Sequence, residues 1–115
     1  MSRARAKGTG FENHVSDTYL DKVWPLVHRA PQRGVKDYGD FENVHGMLIE
    51  AKKRDKWDLP AWIRGVLGKL KTPTSPWIIV FATDKRSIIS MDLVVMPAKQ
   101  YFDERAELQG WRDDV

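Results

Sequence analysis

Phe11, Val15, Tyr19 and Val23 recur every fourth residue, and Leu20 widens their stripe, which predicts an amphipathic helix. Gly8 and Gly10 flank its start. Thr9 suits the N-cap, with Glu12 three residues later completing a capping box. Trp24-Pro25 should end the helix, because the residue before a proline is pushed out of the helical region. Leu59, Trp62, Ile63, Val66, Leu67 and Leu70 form a second stripe at helical spacing. Asp58 can cap that helix, and Pro60 suits its first turn. Gly65 and Gly68 weaken it intrinsically but permit close packing against a sheet.

Between and after these helices the pattern changes to that of strands. Residues 77–83 are a continuous apolar run rich in β-branched side chains, which predicts a buried central strand. Residues 38–44 and 47–53, separated by His45-Gly46, read as two antiparallel strands and their turn. Residues 26–29, 88–89 and 92–96 are shorter strand candidates. Pro97 opens a last short helix carrying Tyr101, Phe102 and Leu108. The sum is an α/β (α+β mixed) fold, a central mixed β-sheet flanked by helices. Residues 1–7 read as a flexible basic arm, 8–110 as a single domain and 111–115 as a loose acidic tail.

Composition adds limits. The chain has 115 residues, enough for one domain, and 42% of them are apolar, enough for one core. The lack of cysteine excludes disulfides, thiolate metal sites and a cysteine nucleophile, and fits a reducing compartment. No run is long enough to span a bilayer, and no apolar run of signal-peptide type follows the basic N-terminus. A soluble cytoplasmic protein is expected. The net charge is +3. Residues 103–115 carry five acids and two bases, so residues 1–102 hold 17 bases against 11 acids, a balance that favours a polyanionic partner.

The candidate chemistry lies in Gly39-Asp40 and Ile49-Glu50-Ala51-Lys52. Alternation places Glu50 and Lys52 on one face of a strand, with Ile49 and Ala51 on the other. A short connection brings Asp40 beside Glu50. Two adjacent carboxylates repel, and a hard divalent cation relieves them. Asp40, Glu50 and the Ala51 backbone carbonyl are therefore candidate metal ligands. Such an ion activates water and shields a phosphorus centre, and Lys52 can stabilise the charge that develops there.

Asp40 followed by Glu50-x-Lys52 resembles the PD-(D/E)XK nuclease superfamily. Lys7-Gly8-x-x-Phe11-Glu12 resembles the first-helix acidic motif of archaeal-type Holliday junction resolvases and their phage relatives. Arg29, the Gly34 loop and Gly39-Asp40 also look like that family, over roughly residues 7–64. The resemblance implies a restriction-endonuclease-like core, a homodimer, and magnesium-dependent cleavage leaving 5′ phosphates, with Mn2+ able to substitute. It implies a catalytic set of Glu12, Asp40, Glu50 and Lys52, in which Asp40 and Glu50 bind the metal and Glu12 is an outer ligand or water positioner. Arg29 would sit near a phosphate. The expected partner is branched DNA, a four-way junction, and the location is the host cytoplasm if the chain is of phage origin. Two departures are visible. Ala30-Pro31-Gln32-Arg33-Gly34 stands where the family often has a serine-glycine pair, and Ile63, Arg64 and Gly65 follow Trp62 where many relatives carry a glutamine.

Arg3, Arg5, Lys7, Arg33, Lys53, Arg54 and Lys56 join Arg29 as candidate DNA contacts, since bound cations release counterions from the duplex. Lys69 and Lys71 are open to the same use. Taken singly, the motif residues have ordinary roles. Glu12 can be the capping acid, Asp40 a turn residue, and Glu50 and Lys52 a solvent-facing pair on an edge strand. Flap, single-strand or nicking endonucleases share the same motif. A non-catalytic DNA-binding module and a plain interaction domain are the alternatives outside nuclease chemistry.

Overall fold

The computed structural model describes residues 3–30, 39–42, 44–83 and 91–113. Its elements in chain order are α1 (Arg3–Thr18), a 3-10 turn (Leu20–Lys22), β1 (His28–Arg29), β2 (Phe41–Glu42), β3 (Leu48–Lys52), α2 (Leu59–Lys69), β4 (Trp77–Ala82), β5 (Asp92–Val95) and α3 (Ala98–Asp113). Strands β3, β4 and β5 form a mixed sheet in that order, with β3 parallel and β5 antiparallel to β4. The apolar run of β4 thus takes the central place that its pattern predicts. Chain connectivity explains the parallel pair: α2 carries the chain from β3 back to the start of β4.

The two helices cover opposite faces of this sheet. On one face Phe11 and Val15 of α1, with Leu20, pack with Ile49 and Val80. On the other, Val66 of α2 packs with Trp77 and Ile79, flanked by Trp62, Ile63 and Leu70. The N-cap of α2 is as expected, with the Asp58 carboxylate accepting from the Ala61 N–H at 3.2 Å. Gln100 of α3 pins the start of β4. Its Oε1 accepts from Trp77 N at 2.9 Å, and its Nε2 donates to Trp77 O at 3.0 Å. Beyond that anchor α3 leaves Tyr101, Phe102 and Leu108 exposed. Among the described residues no helix is long and apolar enough to cross a membrane.

Several expectations need correction. Helix α1 begins at Arg3, inside the segment expected to be an arm, so Thr9 is not its N-cap and Glu12 is not a capping-box acid. Arginine, alanine and lysine are strong helix formers and extend a helix that Phe11 and Val15 anchor. Val23 is 64% exposed rather than part of the stripe. The 3-10 turn has three residues per turn instead of 3.6 and rotates it away from the core. The expected hairpin is not a ladder. Phe41 pairs with Arg29 of β1, and β3 takes its ladder from β4, a longer and wholly apolar partner. The last helix is long and runs to Asp113, into the expected tail. Tyr38 and the candidate strand 88–89 lie outside the described residues.

The central strand should dominate stability. Ile79 is fully buried, and Ile79→Ala is expected to lower the unfolding free energy by about 2–5 kcal/mol. Val94 on β5 is half exposed, and Val94→Ala should change it by no more than about 0.5 kcal/mol. Urea unfolding curves of the two variants check this difference, and equal losses would contradict the assigned core.

Candidate active site

The site gathers at the edge of β3 that faces away from β4. Asp40 reaches that edge through a backbone that only glycine accommodates easily. Gly39 has φ of +107°, and a Cβ there would lie 3.0 Å from the Ile49 carbonyl oxygen. The Asp40 N–H donates to Ile49 O at 3.0 Å. Its carboxylate then accepts from the Ala51 N–H at 2.7 Å. Asp40 is thus held at both ends by β3 and is not an ordinary turn residue. In an extended strand the N–H and C=O of one residue point to the same edge, so the Ala51 carbonyl also faces Asp40's side.

Glu50 is buried, only 2% exposed, and hydrogen-bonds to the Asp40 carboxyl group. A solvent-facing pair of Glu50 and Lys52 is therefore excluded for Glu50. Its Oε1 accepts an ion-paired hydrogen bond from Lys69 Nζ, in the last turn of α2. Burial raises the Glu50 carboxyl to about 7; the Asp40 charge and hydrogen bond push the same way, and Lys69 pulls back. Burial also raises Asp40, against the opposing hydrogen bonds from Glu50 and the Ala51 N–H. Glu12 of α1 stands over the same edge. Burial lifts its carboxyl too, while the Arg29 guanidinium, 3.5 Å away, and the charge of Lys52 hold it down. Lys52 acts on both Asp40 and Glu12.

Glu12, Asp40, Glu50, Lys52 and Arg29 are therefore brought together from four separate segments. The remaining expected contacts divide. Lys53 is half-buried and its charge acts on Asp92, whereas Arg54 and Lys56 are exposed. Arg3, Arg5 and Lys7 have their backbone in α1. Arg33 lies outside the described residues. Lys69 is the member whose place in the site the motif does not include. Its signal was positional: it follows Val66 by three residues, so it lies on the sheet-facing side of α2. A lysine on a buried stripe needs an acidic partner.

The donor set fits a hard cation in a limited way. Among the described residues no three His, Asp or Glu side chains converge as a metal-binding group. Asp40 and Glu50 do meet, both raised by burial, and the Ala51 carbonyl faces the same edge. Two carboxylates and a carbonyl suit an ion that keeps several waters, as Mg2+ does.

A second polar cluster ties α1 to β5. Asp92 Oδ2 hydrogen-bonds to His14 Nε2 at 2.7 Å and accepts from the Tyr19 hydroxyl at 2.5 Å. Partial burial pushes Asp92 up, but these hydrogen bonds outweigh it and hold the carboxyl below its ordinary range. The sequence pattern gave no sign of this network, because Asp92 lies more than 70 residues from His14 and Tyr19. In comparisons with known proteins, the chain matches no family model, no curated protein and no solved structure.

Metal-free protein should lose stability as pH rises through the acidic range. Glu50 is raised from 4.5 to about 7, so the folded state binds its proton more tightly than the unfolded state between those values. Its contribution is full below the unfolded value and is lost as pH rises through about 7; Asp40 and Glu12 shift in the same direction. In EDTA, the unfolding free energy should fall by roughly 1–3 kcal/mol across this window. Glu50→Gln should flatten the slope. A wild-type profile that rises over the same window would contradict the assignment.

Proposed function

We propose that this chain is a divalent-metal-dependent DNA endonuclease that hydrolyses phosphodiester bonds in branched DNA, with the four-way junction as its substrate. The observation that carries the reading is the meeting of Asp40 and Glu50 at the β3 edge, with Glu12 close enough for its charge to be felt by both and Lys52 acting on Asp40 and Glu12. A buried acidic pair beside a lysine is a costly arrangement for a surface of purely structural use. Perturbed carboxyls of this kind favour a functional site.

Asp40, Glu50 and the Ala51 carbonyl would hold Mg2+, or Mn2+ in its place. When bound, the ion supplies an activated water and shields charge on the scissile phosphate. Lys52 would position the attacking water or stabilise the charge developing on the phosphorus centre. Glu12, braced by Arg29, would position a water beside that ion, and Arg29 would face a neighbouring phosphate. The excess of bases over acids in residues 1–102 favours the polyanion. Symmetric cleavage of a junction calls for two sites related by a two-fold axis. The exposed Tyr101, Phe102 and Leu108 of α3 are apolar surface that a homodimer can cover.

Labelled four-way junction, flap and linear duplex, each incubated with Mg2+ and with EDTA and resolved on denaturing gels, test the reading. Paired nicks confined to the junction and abolished by EDTA are expected. Asp40→Asn, Glu50→Gln and Lys52→Ala should each slow cleavage on the order of a hundredfold or more, with junction binding retained. Undiminished cleavage by Asp40→Asn would remove that ligand from the site. Cleavage of flaps in preference to junctions would move the substrate and keep the chemistry.

A further inference from the structure

The site contains two lysines with different neighbours. Lys52 acts on Asp40 and Glu12. Lys69 instead bonds directly to Glu50 through Oε1. That oxygen belongs to the buried acid that the metal-site reading above makes a ligand. A monovalent ammonium and a divalent ion on one carboxylate repel each other strongly where water is scarce.

We propose that Lys69 is a place-holding cation: in the metal-free protein its ammonium neutralises Glu50, and arrival of a divalent ion is an exchange in which Lys69 leaves that carboxylate. This inference rests on the metal-site reading. Three features of the fold support the exchange. The Lys69 side chain is 25% exposed against 2% for Glu50, so part of Lys69 already reaches solvent while Glu50 is almost wholly covered. Lys69 also lines an open groove with Leu48, Leu70, Lys71, Ser75 and Pro76, a space beside it that a long flexible stem can use. Finally, it occupies the last turn of α2, where the helix dipole favours a positive charge even after the ion pair opens. Lys69 is therefore a positioning residue. It keeps the carboxylate ordered for the incoming ion, and it makes metal affinity weaker than the bare carboxylates would give.

Amine labelling of wild-type protein at increasing Mn2+, read by mass spectrometry, tests the exchange without a variant. Lys69 should label several-fold faster over the Mn2+ range that raises the thermal midpoint, while exposed Lys99 keeps its rate. A raised midpoint with unchanged or slower labelling of Lys69 overturns the exchange and leaves the metal site standing. No thermal or calorimetric response to Mn2+ or Mg2+ overturns both. Calorimetric titration of Lys69→Met with Mn2+ at about pH 8.5, where free carboxyls are ionised, should give binding tighter on the order of tenfold. A lysine that served only to hold the fold would instead weaken binding when lost, and binding no tighter than wild type overturns the proposal. If Lys69→Met does not fold, the wild-type labelling still decides.

Discussion

Burying a carboxyl group is unfavourable unless its charge and hydrogen-bonding capacity are met by fixed partners. Glu50 is such a group, and its requirements reach into each neighbouring segment. Lys69 at the end of α2 meets the charge. Asp40 meets a hydrogen bond, and it can do so only because Gly39 bends the chain close to the Ile49 carbonyl. Losing Lys69 would leave Glu50 with an uncompensated buried charge, and losing Asp40 would take away a hydrogen-bond partner, so the site behaves as one unit rather than as a row of independent contacts.

The same strand organises the fold. Alternation along β3 sends Ile49 into the α1 core and Glu50 toward α2, while the backbone edge offers its carbonyl and amide to Asp40. Parallel pairing with β4 requires a crossover, and α2 is that crossover. The helix that closes the apolar core with Val66 thus also delivers Lys69. Core packing and site electrostatics share one element, which explains why a small domain can hold several acids in a confined place.

The arrangement has a consistent chemical sense. Three carboxyls raised by burial face two lysines and an arginine across the open edge of β3. Protons and the Lys69 ammonium compete for the same Glu50 oxygens.

Local pattern determined a good part of this protein. The stripe of α2 with its Asp58 cap, the apolar run of β4 and the alternation along β3 are all consequences of side-chain periodicity and backbone chemistry within a few residues. The candidates Glu12, Asp40, Glu50 and Lys52 were legible in the same way, as residue types at particular spacings. The tertiary structure decided the rest. It turned an expected hairpin into two separate pairings, because β3 gains more from an apolar parallel partner than from its neighbour in sequence. It extended α1 to Arg3, through a segment with no large apolar residue to mark a helix. It also buried Glu50 and gave it Lys69, nineteen residues away. Burial and charge pairing arise only when distant segments pack, so no spacing along the chain encodes them directly.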